Sequence, residues 1–119
     1  MKSRQDSAFE IEFYEKVLHR DPTQIDALRQ LGHLYTRSGR VRDGLRADLA
    51  LAILCPTDSV AHYNLACSYA LVDDIERGLS SLAEAIELGY GDVEYLRNDP
   101  DLEALRKDPS FAGLLTRVK

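Results

Sequence analysis

Slid against itself by 34 positions, the chain matches itself. Leu31 falls on Leu65, Gly32 on Ala66, Tyr35 on Tyr69, Gly44 on Gly78, Leu45 on Leu79 and Leu54 on Leu88. In the other direction Val17 falls on Leu51, Leu18 on Ala52, and Asp21-Pro22 on Cys55-Pro56. A period of this size means one supersecondary unit per copy, each unable to bury its apolar side without a neighbour. Within a copy the apolar spacing is helical. Leu28, Leu31, Leu34 and Tyr35 recur before Gly39, and Leu45, Leu49, Ala52 and Ile53 recur before Pro56. Each copy therefore reads as a helical hairpin. Small residues at Gly32 and Gly44, and at Ala66 and Gly78, fall where two helices of a hairpin must approach closely. A glycine inside a helix costs about 0.5–1 kcal/mol relative to alanine, so its presence there calls for a packing reason.

These residues carry a family resemblance. "LRQLGHLY", followed by Gly44, Asp48 and Pro56, resembles the tetratricopeptide repeat (TPR) pattern of an apolar residue, Leu-Gly, Tyr, a small residue, a large apolar residue and Pro. The second copy, "HYNLACSY", departs from it with His62 in an aromatic slot, Ala66 for Gly and Tyr90 for Pro. Asp48 stands where the family buries a large apolar side chain. The resemblance spans residues 7–90 and implies an all-α, TPR-like solenoid. The expected organisation is a single domain with an N-terminal half-repeat helix (7–22), repeat 1 (23–56), repeat 2 (57–90) and a helical cap (91–119).

The half-repeat opens on "SAFE", where Ser7 and Glu10 are spaced as a capping box. Phe9, Ile11, Phe13, Tyr14, Val17 and Leu18 spread over roughly 200° of this helix, wider than one neighbour covers. Either more chain folds over the spare side, or Phe9, Phe13, Tyr14 and Val17 form a homodimer contact. In the tail, Asp92, Asp99 and Asp108 read as N-caps, with Pro100 and Pro109 in first-turn positions. Three short helices result. Their Leu102, Leu105, Phe111, Leu114 and Leu115 should cover the open flank of the second hairpin, as the end of a stacked array requires. The tail also resembles the closing segment of bacterial TPR arrays.

Composition narrows the functional classes. Apolar residues make up 45% of the 119 residues and charged residues 29%, a globular balance. A net charge of −5 argues against nucleic-acid binding, which needs a basic surface. The charge is unevenly distributed: residues 23–56 carry five positive and three negative side chains, residues 57–90 one and six. No run is apolar enough for a signal peptide or membrane span, so the expected setting is cytoplasmic. Cys55 and Cys67, outside any CxxC pair, are expected to be reduced. His19, His33 and His62 sit in separate helices, no cysteine has a local base, and no phosphate-cradling glycine loop occurs. No enzyme activity, metal or cofactor is expected.

What remains is binding. In a TPR hairpin the first helix lines the concave groove, and residues three and four apart share a face. That face carries Asp26, Arg29, Gln30, His33 and Arg37 in the first copy, and Val60, Tyr63, Asn64, Cys67 and Leu71 in the second. Arg29, His33 and Arg37 opposite Tyr63 and Asn64 suit a protein or peptide partner with an acidic side chain or a free C-terminal carboxylate. The resemblance implies a partial carboxylate clamp: Arg29 and Asn64 match the family's positions, and His33 replaces an asparagine. The alternative for Arg29 and Arg37 is a solvated face, and for Asn64 a framework role.

Overall fold

The computed structural model describes residues 4–119, with side chains from Ser7 onward, and every regular element among them is helical. The chain divides into two compact units, residues 1–54 and 55–119.

The first unit holds α1 (Arg4–Arg20), α2 (Ile25–Arg37) and α3 (Val41–Leu54). Its α2/α3 hairpin closes as the glycines require. A Cβ on Gly32 would collide with Asp48 Oδ1, and one on Gly44 would collide with Thr36 Oγ1. The Asp48 side chain is buried beside Gly32, so the departure from a large apolar residue is accommodated by giving the carboxylate the space a side chain at position 32 would need. Helix α1 packs on α2: Ile11, Leu31, Leu34 and Ala47 form a core, with Tyr14, Leu18 and Tyr35 around it. A polar clasp borders this core. The Tyr35 hydroxyl donates to Glu15, and the Arg40 guanidinium lies 4.6 Å above the Tyr35 ring while its Nε holds Asp43 at 2.9 Å.

The second unit holds α4 (Ser59–Leu71), α5 (Ile75–Glu87), α6 (Val93–Asn98), a 3-10 turn (Pro100–Leu102), α7 (Glu103–Arg106) and α8 (Ser110–Leu115). Its core draws on hairpin and tail alike. Ala66, Ala70, Leu82, Ala85 and Ile86 pack with Leu96, Leu102, Leu105, Phe111 and Leu114. Leu105 sits where Gly78 leaves room; a Cβ there would come within 2.7 Å of its Cδ2. The tail thus covers the second hairpin, as its apolar residues led one to expect.

The 34-residue period is written into the backbone. Helix α4 begins and ends 34 residues after α2, and α5 begins 34 after α3. Gln24 caps α2 by accepting from Asp26 and Ala27 N–H, and Asp58 caps α4 by accepting from Val60 and Ala61 N–H. After the first helix of each hairpin comes a left-handed residue, Gly39 (φ 83°) or Asp73 (φ 64°). The next N–H then reaches back to a tyrosine carbonyl, Arg40 to Tyr35 at 2.8 Å and Asp74 to Tyr69 at 2.9 Å. This is the hydrogen-bonded stop that satisfies otherwise orphaned helix carbonyls.

Two local expectations are corrected. Ser7 is not an N-cap but a buried residue inside α1, which starts a turn earlier. The middle tail helix is a 3-10 turn running into the single turn of α7, because Asp99 caps it through Asp101 N–H at 3.0 Å and only a few residues separate it from Asp108. Asp92 caps α6 through Tyr95 N–H, and Asp108 accepts from Ser110 N–H at the entry to α8.

Candidate ligand-binding faces

Each hairpin presents the exposed side of its first helix differently. On α2, Asp26, Gln30, His33 and Arg37 are exposed and Arg29 is half-buried. Their spacing of three and four residues puts them on one stripe opposite buried Leu28, Leu31 and Leu34. The stripe carries two guanidiniums and an imidazole, and the only carboxylate on it is Asp26 in the first turn, where it complements the helix dipole.

On α4 the corresponding residues are mostly closed: Val60 in the first turn is 47% exposed, but Leu71 is half-buried. Tyr63 is 5% exposed and Cys67 9%, whereas Asn64 is half-buried. The Tyr63 ring stacks on Tyr90, with centroids 4.4 Å apart and planes 5° from parallel, and Tyr95 leans on it at 5.9 Å. Its hydroxyl donates to the buried Asp99 carboxylate, and the Cys67 sulfur lies 3.8 Å from the same oxygen. Arg106 fastens the turn that carries Asp99, donating to the carbonyls of Leu96 at 3.2 Å and Asp99 at 2.7 Å. Burial, and then the hydrogen bond to Asp99, push the Tyr63 phenol far above its ordinary range, so it stays a neutral donor.

Tyr63 and Cys67 therefore face the surface expected, but the chain's own tail lies on it. The expectation that they line an open groove is corrected: helix periodicity gives a side chain's direction, not what covers it. The residue that the sequence reading missed is Asp99, assigned only a capping role. It has two roles, with Oδ1 capping the 3-10 turn and Oδ2 accepting from Tyr63. A signal was present. The face Val60, Tyr63, Cys67 and Leu71 is too apolar for a solvated groove, and Tyr90 and Tyr95 supply matching aromatic surface. His62, on the other side of α4, is half-buried and its Nε2 donates to the Pro56 carbonyl at 2.9 Å, in keeping with a packing role.

The self-association residues of α1 also divide. Phe9 is 75% exposed and Phe13 55%, while Tyr14 and Val17 are half-buried. Phe13 meets Tyr14 edge to face at 5.1 Å. Among the described residues no cluster of three His, Cys, Asp or Glu side chains is arranged to hold a metal ion. No helix among them is long and apolar enough to cross a membrane.

Hairpins of this period, with paired small residues at their crossings, define an all-α helical-repeat fold of TPR type. Comparison with known proteins agrees. The chain superposes on the crystal structure of MamA, a TPR-containing protein, with a TM-score of 0.78 over 96% of its own length and 67% of that chain, at 22% identity. It is 39% identical over 87 residues to a chloroplastic protein of Arabidopsis thaliana, a match covering 71% of this chain and 26% of that protein. The chain thus spans about a quarter of the length of this curated relative. No protein-family model matches.

Proposed function

We propose that the protein is an interaction module of the TPR family that captures an acidic segment of a partner protein, or its C-terminal carboxylate, on the exposed stripe of α2. Arg29 and Arg37 supply charge and planar donors, and Gln30 and His33 supply further polar contacts. The observation that carries this reading is the contrast in exposure: Gln30, His33 and Arg37 stand open, while Tyr63 and Cys67 are occupied by an internal carboxylate. Asn64, half-buried on the other hairpin, is left out of the proposed stripe. Asp99 also illustrates the chemistry, since the equivalent face of the second hairpin already holds an acidic side chain. The role is binding rather than catalysis, with a protein as partner and neither nucleic acid nor membrane as target. The setting we propose is a reducing compartment that keeps Cys55 and Cys67 as thiols: the cytoplasm or, as its name states for the Arabidopsis relative, the chloroplast.

The test is a library of acidic peptides with free and amidated C-termini, screened against the wild type and Arg37→Glu. Capture that weakens by at least about tenfold in the variant supports the stripe, given that charge-assisted pairs count for several-fold to hundred-fold in affinity. Equal capture of free and amidated peptides removes the carboxylate terminus and leaves acidic side chains. No capture of any acidic peptide removes the reading.

A second reading, self-association through α1, is favoured by the exposure of Phe9 and Phe13.

A further inference from the structure

The internal period identifies the helices that α1 corresponds to. By the 34-residue offset, Phe13 corresponds to Ala47 and Ser81, and Val17 to Leu51 and Ala85. All four counterparts are buried, in helices α3 and α5 that each pair with a preceding first helix. Helix α1 thus corresponds to the second helix of a hairpin. It also departs from its counterparts in the direction opposite to what solvent exposure favours, carrying phenylalanine where they carry alanine and serine.

At 100° per residue, Phe9, Phe13 and Val17 lie within about 80° of one another, a single apolar stripe. The charges on α1 are segregated along its length. Among the described side chains Glu10 and Glu12 precede Phe13, whereas Lys16, His19 and Arg20 follow it, the last two in the final turn; Glu15, which also follows it, is taken up by the Tyr35 hydroxyl. Lys16 and Glu12 already pair on the surface at 3.2 Å, both largely exposed. A second copy laid parallel would set acids against acids and bases against bases. Laid antiparallel, about a two-fold axis beside Phe13, it sets the acidic half of each helix against the basic half of the other.

We infer that α1 is a self-association surface on which the α1 of a second copy packs antiparallel, Phe13 against Phe13 and Phe9 against Val17, with the Glu12 and Lys16 pairs of the two copies side by side. The inference rests on the self-association reading and adds the occupant, its orientation and the charges that select it. An isologous contact of this kind is self-complementary and closes at two copies, so it neither polymerises nor involves the α2 stripe. Each substitution acts twice at such an interface, and aromatic residues at its centre dominate its strength.

Sedimentation velocity over a dilution series tests it. The wild type is expected to pass from dimer to monomer on dilution. Phe13→Glu should raise the dimer dissociation constant by at least about tenfold with the helical circular dichroism unchanged, and Phe9→Glu should act in the same direction. Lys16→Glu alone should weaken the dimer, and the exchange Glu10→Lys with Lys16→Glu should restore it, because about the axis at Phe13 residue 10 of one copy faces residue 16 of the other and the two keep opposite signs. A wild type that is monomeric at every concentration, or a dimer indifferent to Phe13→Glu and Phe9→Glu, overturns self-association through α1 altogether. A dimer that Phe13→Glu breaks but the charge exchange fails to restore overturns only the antiparallel arrangement. Peptide capture by Phe13→Glu should equal that of the wild type, which separates this surface from the α2 stripe.

Discussion

The two hairpins share a backbone and differ in what they do with it. Their first helices start 34 residues apart, are capped by side chains at equivalent positions, and stop at equivalent left-handed residues. Yet α2 leaves a basic stripe open, and α4 buries the Tyr63 and Cys67 of the matching face under Tyr90, Tyr95 and Asp99. Repetition fixes the hairpin, and the residues that break repetition decide which face is free to bind. The interiors diverge in the same way. The first hairpin pairs Gly32 with Asp48, and the second has Ala66 and Leu82 at the same positions. At this crossing glycine goes with the carboxylate that has taken its space.

The largest effect should come from removing the cover on the second hairpin. Leu105 is fully buried against Gly78, so Leu105→Ala should cost about 2–5 kcal/mol in urea unfolding, the range for a large cavity in a core. A loss below about 1 kcal/mol would show that the tail is only loosely laid on. Next comes the crossing in the first hairpin. Gly32→Ala pushes a methyl into Asp48 and should destabilise by about 1–3 kcal/mol. Adding Asp48→Leu transplants the pair found in the second hairpin and should recover part of that loss, which a double-mutant cycle reads directly.

Removing the Tyr63 hydroxyl should have a smaller effect. Tyr63→Phe leaves Asp99 without its tyrosine donor while keeping Asp101 N–H, and should cost about 1–2 kcal/mol. It should also change the response to alkali. The phenols of Tyr63 and Tyr35 titrate higher folded than unfolded: Tyr35 is pushed up to about 12 by burial and then by Glu15, and Tyr63 is pushed further. A group raised in this way contributes stability in full below its unfolded value near 10 and loses it as the pH climbs toward the folded value. Stability should therefore fall above about pH 10, and Tyr63→Phe should flatten that fall. A variant with the wild-type alkaline slope would remove Tyr63 from the account. The smallest effect belongs to the stops. Asp73→Gly relieves a non-glycine left-handed residue and should stabilise by about 0.5–1 kcal/mol, whereas Gly39→Ala should destabilise by a similar amount.

Much of this was legible in the sequence because it is local or periodic. The period, the stop at Gly39, the small residues at the crossings and the caps at Asp92 and Asp99 each depend on residues a few positions apart or on a repeat. Ser7 was misread because a capping-box spacing also fits the interior of a helix. The cover on α4 was misread for a different reason. The bond from Tyr63 to Asp99 spans 36 residues, and no spacing rule connects an aperiodic tail to a particular face. Apolar content in the tail announced that something would be covered. Only the fold shows that the cover extends over the tyrosine and thiol that a helical wheel turns toward a ligand.

The central claim is that the tail closes the α4 face and leaves α2 as the open one, and the Cys67 thiol reports on it directly. In Cys55→Ser, Cys67 is the single remaining thiol. Its reaction with a thiol-specific disulfide reagent should be at least about tenfold slower in the folded protein than in urea, since reaction requires the covering segment to open. Leu105→Ala should speed it. A folded protein whose Cys67 reacts as fast as the unfolded chain would contradict the closed face, and with it the division of labour between the two hairpins.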